Sequence, residues 1–155
     1  MMSYAVRIER VSSQHLAVVR RLASPTELPR VIPQACGLVW NVVKAAQIKG
    51  GRHVAIYRAA GDGLLNIEVG VEVASAFPGS GDVVASTTPA GDAATTTHFG
   101  PYQKLGEANE AITQWCPAQG RALAGVSWEI YGHWQDAWNE DPSKIRTDVF
   151  YLLKS

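Results

Sequence analysis

Ser127-Trp128-Glu129-Ile130-Tyr131 decides the fold, because it belongs to a plan that the chain uses twice. Ala17-Val18-Val19 begins 40 residues before Tyr57, and Ala93-Ala94-Thr95 begins 38 residues before Tyr131. Each half has the pattern of a strand, an amphipathic helix after a Pro-containing turn, and then further strands. Duplicated halves that share one sheet leave a groove along their pseudo-two-fold axis, and ligand clefts favour such internal interfaces.

The first helix is predicted from apolar residues that recur every three or four positions. These residues are Ile32, Cys36, Val39, Val43 and Ala46. They form one buried helical face. Proline lacks an amide donor and suits the first turn of a helix, so we expect Pro33 in that turn. Gly50-Gly51 is expected to end the helix, because glycine accepts the left-handed conformation found at helix C-termini.

The other patterns predict a sheet and a second helix. Apolar and polar residues alternate over 65–73, and further strands are expected at 4–11, 15–20, 53–58, 82–88, 92–97, 123–131 and 148–153. The second helix follows Gly100-Pro101, runs to about Pro117, and is expected to bury Leu105, Ala108, Ile112 and Trp115. The fold class is therefore α+β: a duplicated strand-helix-strand-strand repeat with two main helices on one face of an antiparallel sheet.

Length and charge fit one globular domain over residues 1–155. The loop at Pro78-Gly79-Ser80-Gly81 is the natural seam between repeat one, about 1–77, and repeat two, about 82–155. Basic and acidic residues number 14 each, and no helix-turn-helix segment is recognisable, so direct DNA binding is not expected. No apolar run approaches the roughly 20 residues of a membrane helix, and the N-terminus lacks a signal core. We therefore expect a cytoplasmic protein without membrane contact.

Metal and cofactor sites are not expected. The four histidines are scattered, and no ligand at metal-binding spacing accompanies Cys36 or Cys116. Both cysteines fall in predicted helices and are expected to be reduced, buried thiols.

The strand at 127–131 carries the candidate chemistry. Alternation places Ser127, Glu129 and Tyr131 on one face and Trp128 and Ile130 on the other. If the helices cover the Trp128 face, Glu129 and Tyr131 look into the concave side. A carboxylate in an apolar recess either takes up a proton, as a general acid does, or keeps its charge beside a cation. The alternative is that Glu129 faces solvent on an exposed strand.

Aromatic residues are the second signal. Five tryptophans are present, and Trp128, Trp134 and Trp138 fall within 11 positions. Aromatic faces bind flat molecules and organic cations. Trp134 and Trp138, in the polar loop at 132–146, suggest a lid over a ligand. Trp40 is most simply a core residue of the first helix, although it stays among the candidate ligand-binding residues. For Tyr57 and Tyr131 the alternative is a core ring with its hydroxyl satisfied.

These segments together resemble a known family over essentially the whole chain. They are residues 90–94, 98–102, 128–131 and 147–153, with Glu68-Val69-Gly70-Val71 in the first repeat. They resemble the GyrI-like small-molecule-binding domain, also called the bacterial transcription-activator effector-binding domain. The resemblance implies two repeats around a groove that binds hydrophobic, often cationic, compounds. Members of that family occur fused to DNA-binding domains, as free-standing proteins including a gyrase inhibitor, and as hydrolases of cyclopropane-bearing genotoxins.

The resemblance also implies which residues form the site. The central acid of the family falls on Glu129, and its accompanying aromatics fall on Tyr57, Trp128 and Tyr131. Phe99 and Tyr102, from the turn before the second helix, complete the wall. The chain departs from the family pattern in the long loop Gly132–Arg146.

Three functions remain open at this stage. The first is a stand-alone protein that binds hydrophobic, cationic small molecules through Glu129 and the aromatic residues. The second is a hydrolase of electrophilic small molecules, in which Glu129 and Tyr131 activate water. The third is a gyrase-inhibitor-like interaction protein, with a protein partner or a second copy of the chain in a homodimer.

Overall fold

The computed structural model describes residues 4–155, which form one eight-stranded sheet and two main helices. The strands are β1 Arg7–Val11, β2 His15–Ala23, β3 His53–Gly61, β4 Leu64–Glu72, β5 Val84–Thr87, β6 Gly91–Phe99, β7 Leu123–Tyr131 and β8 Arg146–Leu153. The helices are α1 Leu28–Ala45, α2 Leu105–Ala118 and the short α3 Ala137–Glu140. No helix within this part of the chain combines the length and the hydropathy of a membrane span.

The sheet is antiparallel and its strand order is symmetric about the central pair β7 and β3. The order is β1-β6-β8-β7-β3-β4-β2-β5, so β7, β8 and β6 on one side correspond to β3, β4 and β2 on the other. Each edge strand pairs with a strand from the other half of the chain: β1 of the N-terminal half pairs with β6, and β5 of the C-terminal half pairs with β2. The predicted α+β fold with an antiparallel sheet and two main helices is confirmed.

The first helix starts and ends differently from the prediction. It begins at Leu28, after a 3-10 turn at Pro25–Glu27, so Pro33 lies inside it. The earlier start lets Leu28 and Val31 pack on the core, which outweighs the one amide bond that Pro33 lacks. The chain turns at Gln47, whose φ of 59° is left-handed, rather than at Gly50-Gly51.

Both main helices cover the sheet face that carries Glu129 and Tyr131, which is the reverse of the arrangement considered above. The half-buried side chain of Tyr131 packs against the core cluster under α1 and also against the cluster under α2. Trp128 belongs to a third cluster on the opposite face. Alternation along the strand separates the two faces, but it does not say which one the helices cover.

The helix-free face is buried because the sheet curls over it. Its buried residues are Leu16, Val18, Val54, Ile56, Ala93 and Trp128, and they come from strands on both sides of the sheet. Val11 and Val84, from the two edge strands, pack against the same cluster. Gly70 allows the close approach of β2 and β4, because a Cβ there would lie 1.8 Å from the carbonyl oxygen of Ala17. The concave interior of the sheet is therefore filled with side chains.

Candidate functional site

The carboxylate of Glu129 lies at the centre of the sheet, on the face beneath the two helices. Its strand β7 pairs with β3, with Glu129 opposite Ala55 and Ser127 opposite Tyr57. Glu129 is only 7% exposed. The hydroxyl of Tyr131 donates to Glu129 Oε1 over 2.7 Å, and the hydroxyl of Tyr57 donates to the same oxygen over 2.9 Å. One carboxylate oxygen therefore receives two phenolic donors.

The two phenols stay protonated because of this environment. Burial, and then the nearby negative charge of Glu129, raise the pKa of Tyr57 and of Tyr131 well above the ordinary value of 10. Each phenol has one proton, and both protons are given to Glu129. The 3.3 Å contact between the two hydroxyl oxygens is therefore a close approach rather than a hydrogen bond.

An amide from α2 links the acid to a third tyrosine. The Asn109 side chain donates through Nδ2 to the Leu105 carbonyl over 2.9 Å and accepts at Oδ1 from the Tyr151 hydroxyl over 2.7 Å. The same nitrogen lies 3.4 Å from Glu129 Oε2, beyond the usual range for a good N–H···O bond. The network holds Asn109 in one orientation and leaves Glu129 Oε2 weakly satisfied.

A cavity of about 1060 Å³ opens over this network, between the two helices. It is at the large end of the range for small-molecule sites. Its walls include apolar residues of α1 and the preceding turn, which are Pro25, Leu28, Pro29, Ile32, Pro33 and Cys36. Burial raises the pKa of the Cys36 thiol to about 11, so this thiol is a neutral part of the wall.

One end of the cavity carries imidazole and indole rings. Trp40 packs against His53, with ring centroids 5.6 Å apart, and both line the cavity together with His133 and Trp134. Burial, and then the proximity of His133, lower the pKa of His53, and its Nε2 is buried without a hydrogen-bond partner. Arg52 also lines this end, but Glu72 holds its guanidinium at 3.0 and 3.1 Å. This end therefore presents aromatic rings and an arginine that is already paired with Glu72.

Six of the nine candidate binding residues lie around one cavity. These six are Glu129, Tyr131, Tyr57, Tyr102, Trp40 and Trp134. Tyr102 lies edge-on to Tyr131, with centroids 5.7 Å apart. Trp40 is 39% exposed and Trp134 is 52% exposed, so both form the rim rather than the core.

The other three candidates do not line this cavity. Trp128 is 2% exposed and stacks on Phe150 on the helix-free face, with centroids 5.1 Å apart. Phe99, at the end of β6, is 53% exposed outside the cavity. Trp138 is buried in α3, where its ring meets that of Trp134 edge-on. The loop at 132–146 thus contains a helical turn whose buried indole supports the exposed one.

Sequence reasoning missed Asn109, Tyr151 and His53 as cavity residues. Asn109 falls four residues after Leu105 and three before Ile112, on the inward stripe of α2. A polar residue on that stripe was an available signal. Tyr151 alternates with Val149 and Leu153 on the helix-covered face of β8, which was also readable. His53 carried no pattern that separates it from other strand residues. Among residues 4–155 no group of His, Cys, Asp and Glu side chains could hold a metal ion.

Comparisons with known proteins agree with this architecture. The sequence profile of the GyrI-like small molecule binding domain matches residues 4–154 of this chain. No curated protein matches the chain in sequence.

Several solved structures share the fold. The crystal structure of the EcmrR C-terminal domain superposes with a TM-score of 0.80 at 19% identity, covering 99% of both chains. SAV2435 bound to tetraphenylphosphonium gives a TM-score of 0.64 at 14% identity, covering 99% of this chain and 95% of the other. A hydrolase encoded by lin2189 from Listeria innocua gives 0.59 at 11% identity, covering 96% and 91%. At these identities the likeness concerns the fold.

Proposed function

Because this chain belongs to the family of the GyrI-like small molecule binding domain, we propose that it binds hydrophobic organic cations in the cavity around Glu129. The proposal depends chiefly on one observation: Glu129 is a buried acid in a cavity wall, and no base among residues 4–155 forms an ion pair with it. The groups that contact its oxygens are neutral donors, two phenols and an amide.

Neutral donors stabilise a carboxylate without cancelling its charge. A buried charge is costly unless it is paired, and a cation in the cavity would complete the pair. Tyr102, Tyr131, Trp40 and Trp134 add aromatic surface around the same space. Cation–π contacts with such rings contribute about 0.5–2 kcal/mol each. The cavity thus matches a ligand with a positive centre and an apolar body.

A structural neighbour supports this ligand class. SAV2435, which shares the fold, has a structure with bound tetraphenylphosphonium, a hydrophobic cation. The same ion is a suitable probe here, because tetraphenylborate has nearly the same shape and the opposite charge.

The test is calorimetric titration of the protein with tetraphenylphosphonium and with tetraphenylborate. We expect binding of the cation and no binding of the anion. Glu129→Gln keeps the size of the side chain and removes its charge, so it should weaken cation binding at least about tenfold, the equivalent of about 1.4 kcal/mol.

Glu107→Gln is the matched control. Glu107 is exposed on α2 and does not line the cavity, but its substitution changes the net charge by the same amount. It should leave the affinity unchanged. Equal binding of the two ions, or equal losses in the two variants, would show that Glu129 does not select for cations.

Hydrolysis of an electrophilic small molecule is a second candidate. The motivating observation is that Glu129 lies 2.7 Å from the Tyr131 hydroxyl inside the cavity, a base beside an acid. In this scheme Glu129 takes a proton from water, and the water oxygen bonds to a cyclopropane carbon. The ring carbon–carbon bond breaks, and its electron pair takes the proton back from Glu129. A hydrolase from Listeria innocua shares the fold.

Product analysis separates hydrolysis from binding. A cyclopropane-bearing electrophile is incubated with wild type, Glu129→Gln and Tyr131→Phe, and the ring-opened alcohol is followed by mass spectrometry. Turnover that both substitutions abolish would establish the hydrolase. Binding of the probe without product would leave the receptor function alone.

A further inference from the structure

The two oxygens of the Glu129 carboxylate are satisfied unequally. Oε1 accepts from Tyr57 over 2.9 Å and from Tyr131 over 2.7 Å. Oε2 has only one N–H of the Asn109 amide near it, at the long distance of 3.4 Å, while the other N–H of that amide donates to the Leu105 carbonyl over 2.9 Å. A carboxylate offers about four lone-pair sites, two on each oxygen. Both sites of Oε1 are filled, while Oε2 keeps acceptor capacity.

Arg52, a basic residue of the cavity wall, does not donate to Glu129 Oε2. Arg52 lines the same cavity, but Glu72 accepts from its Nε over 3.0 Å and from its Nη2 over 3.1 Å. The Tyr151 hydroxyl is committed to Asn109 Oδ1 at 2.7 Å. Arg52 and Tyr151 are therefore occupied with Glu72 and Asn109, and Oε2 keeps room for a donor from the ligand.

We propose that the cavity selects protonated amines, whose N–H⁺ can donate to Glu129 Oε2, over quaternary cations of the same size. This inference rests on the proposed function and names the ligand class more closely. A quaternary cation supplies charge but no donor, so it excludes water from Oε2 without replacing the lost hydrogen bond. Sites with a buried polar group discriminate strongly against ligands that leave it unpaired.

The experiment compares two isomeric cations on the wild-type protein. One is N-ethyl-N-methyl-(1-naphthylmethyl)ammonium, which is protonated at neutral pH, and the other is N,N,N-trimethyl-(1-naphthylmethyl)ammonium. They have the same formula, charge and aromatic group, and they differ in one N–H. Calorimetry at neutral pH should show about ten- to hundredfold tighter binding of the protonated amine, as a hydrogen bond to a charged group implies.

Glu129→Gln tests whether Oε2 is the acceptor. The variant should reduce the preference between the isomers to about twofold or less while both cations bind more weakly. Glu107→Gln, with the same change of charge on the outer surface of α2, should preserve the wild-type preference. The main comparison uses wild-type protein and does not depend on the folding of any variant.

Each outcome has one meaning. Tighter binding of the protonated amine that depends on Glu129 supports the inference. Equal affinity of the isomers, with both weakened by Glu129→Gln, overturns the inference and leaves cation binding standing. Binding of neither cation, or binding that is indifferent to Glu129, overturns the proposed function together with the inference.

Discussion

At the scale of single residues, the phenols around Glu129 tie stability to alkaline pH. The pKa values of Tyr57 and Tyr131 are raised well above 10 by burial and by Glu129. Above about pH 10 the unfolded chain releases two protons that the folded protein retains. Stability should therefore fall as pH rises beyond 10, by up to about 1.4 kcal/mol per pH unit for each phenol. Urea unfolding at a series of alkaline pH values measures this slope.

The Phe variants provide the control for this prediction. Tyr57→Phe and Tyr131→Phe should each lose about 1–3 kcal/mol at neutral pH, because a donor to the buried carboxylate disappears. Each should also reduce the fall of stability with alkaline pH by the share of one phenol, up to about 1.4 kcal/mol per pH unit. An absorbance titration of wild type in which all five tyrosines ionise together near pH 10 would contradict the prediction.

His53 makes the opposite prediction on the acid side. Burial and His133 lower its pKa, so the folded protein resists a proton that the unfolded chain takes up below about pH 6.5. Above pH 6.5 His53 has no effect on the free energy of unfolding. As pH falls below 6.5, that free energy should decrease by up to about 1.4 kcal/mol per pH unit. His53→Phe should reduce the acid slope in urea unfolding. The exposed His15, changed to Gln, should leave the slope as it is.

Residue chemistry was also where the sequence was most informative. Alternation placed Glu129 and Tyr131 on one face of their strand, and the family resemblance named Tyr57 as a companion of the acid, which it contacts in the structure. Trp128 was a candidate through the family resemblance, although alternation already placed it on the face opposite Glu129, and it lies there in the filled core. The Asn109–Tyr151 bond joins residues 42 positions apart, and no local pattern encodes such a pairing.

At the scale of elements, α1 contains a proline that lowers the stability of the helix. Pro33 is the sixth residue of the helix, where it removes an amide hydrogen bond and its ring crowds the carbonyl of Pro29. Pro33→Ala should restore that bond. Because alanine also frees the unfolded chain by about 0.4–1 kcal/mol, we expect a net gain of about 1–2 kcal/mol. Chemical denaturation at neutral pH measures it.

Pro29 is the matched control for Pro33. It is the second residue of the same helix, in the turn where amide groups lack an intrahelical partner, and it lines the same cavity. Pro29→Ala should change stability by less than about 1 kcal/mol. Equal effects of the two substitutions would mean that Pro33 does not interrupt a bonded turn.

The boundaries of the elements show why local signals were insufficient. The strand 123–131 was predicted to the residue, because alternation over nine positions has few competing interpretations. The first turn of α1 was expected around Pro33, but the helix begins at Leu28, since a rule about proline was given more weight than the burial of Leu28 and Val31. After the end of α1, the left-handed residue is Gln47, whereas Gly50 had been expected to end the helix.

At the scale of the whole molecule, the sheet separates two tasks. Its helix-free face is packed throughout, with Trp128 stacked on Phe150, whereas its helix-covered face carries the open cavity, with Trp134 at the rim, beside the core clusters under α1 and α2. Changes on the two faces should therefore have separable effects. Trp128→Ala removes a buried ring and should cost about 3–5 kcal/mol of stability, because the curled sheet cannot close over the space.

Trp134→Ala should change stability little and weaken ligand binding. Its ring is 52% exposed, so the loss of stability should be small, about 0.5 kcal/mol or somewhat more, because the edge-on contact with Trp138 is lost. Affinity for a naphthylmethyl ammonium should fall about three- to thirtyfold, as the loss of one cation–π contact implies. Trp128→Ala, measured under conditions where it is folded, should bind with wild-type affinity. Weakened binding in Trp128→Ala, or unchanged binding in Trp134→Ala, would show that the two faces do not divide stability and recognition in this way.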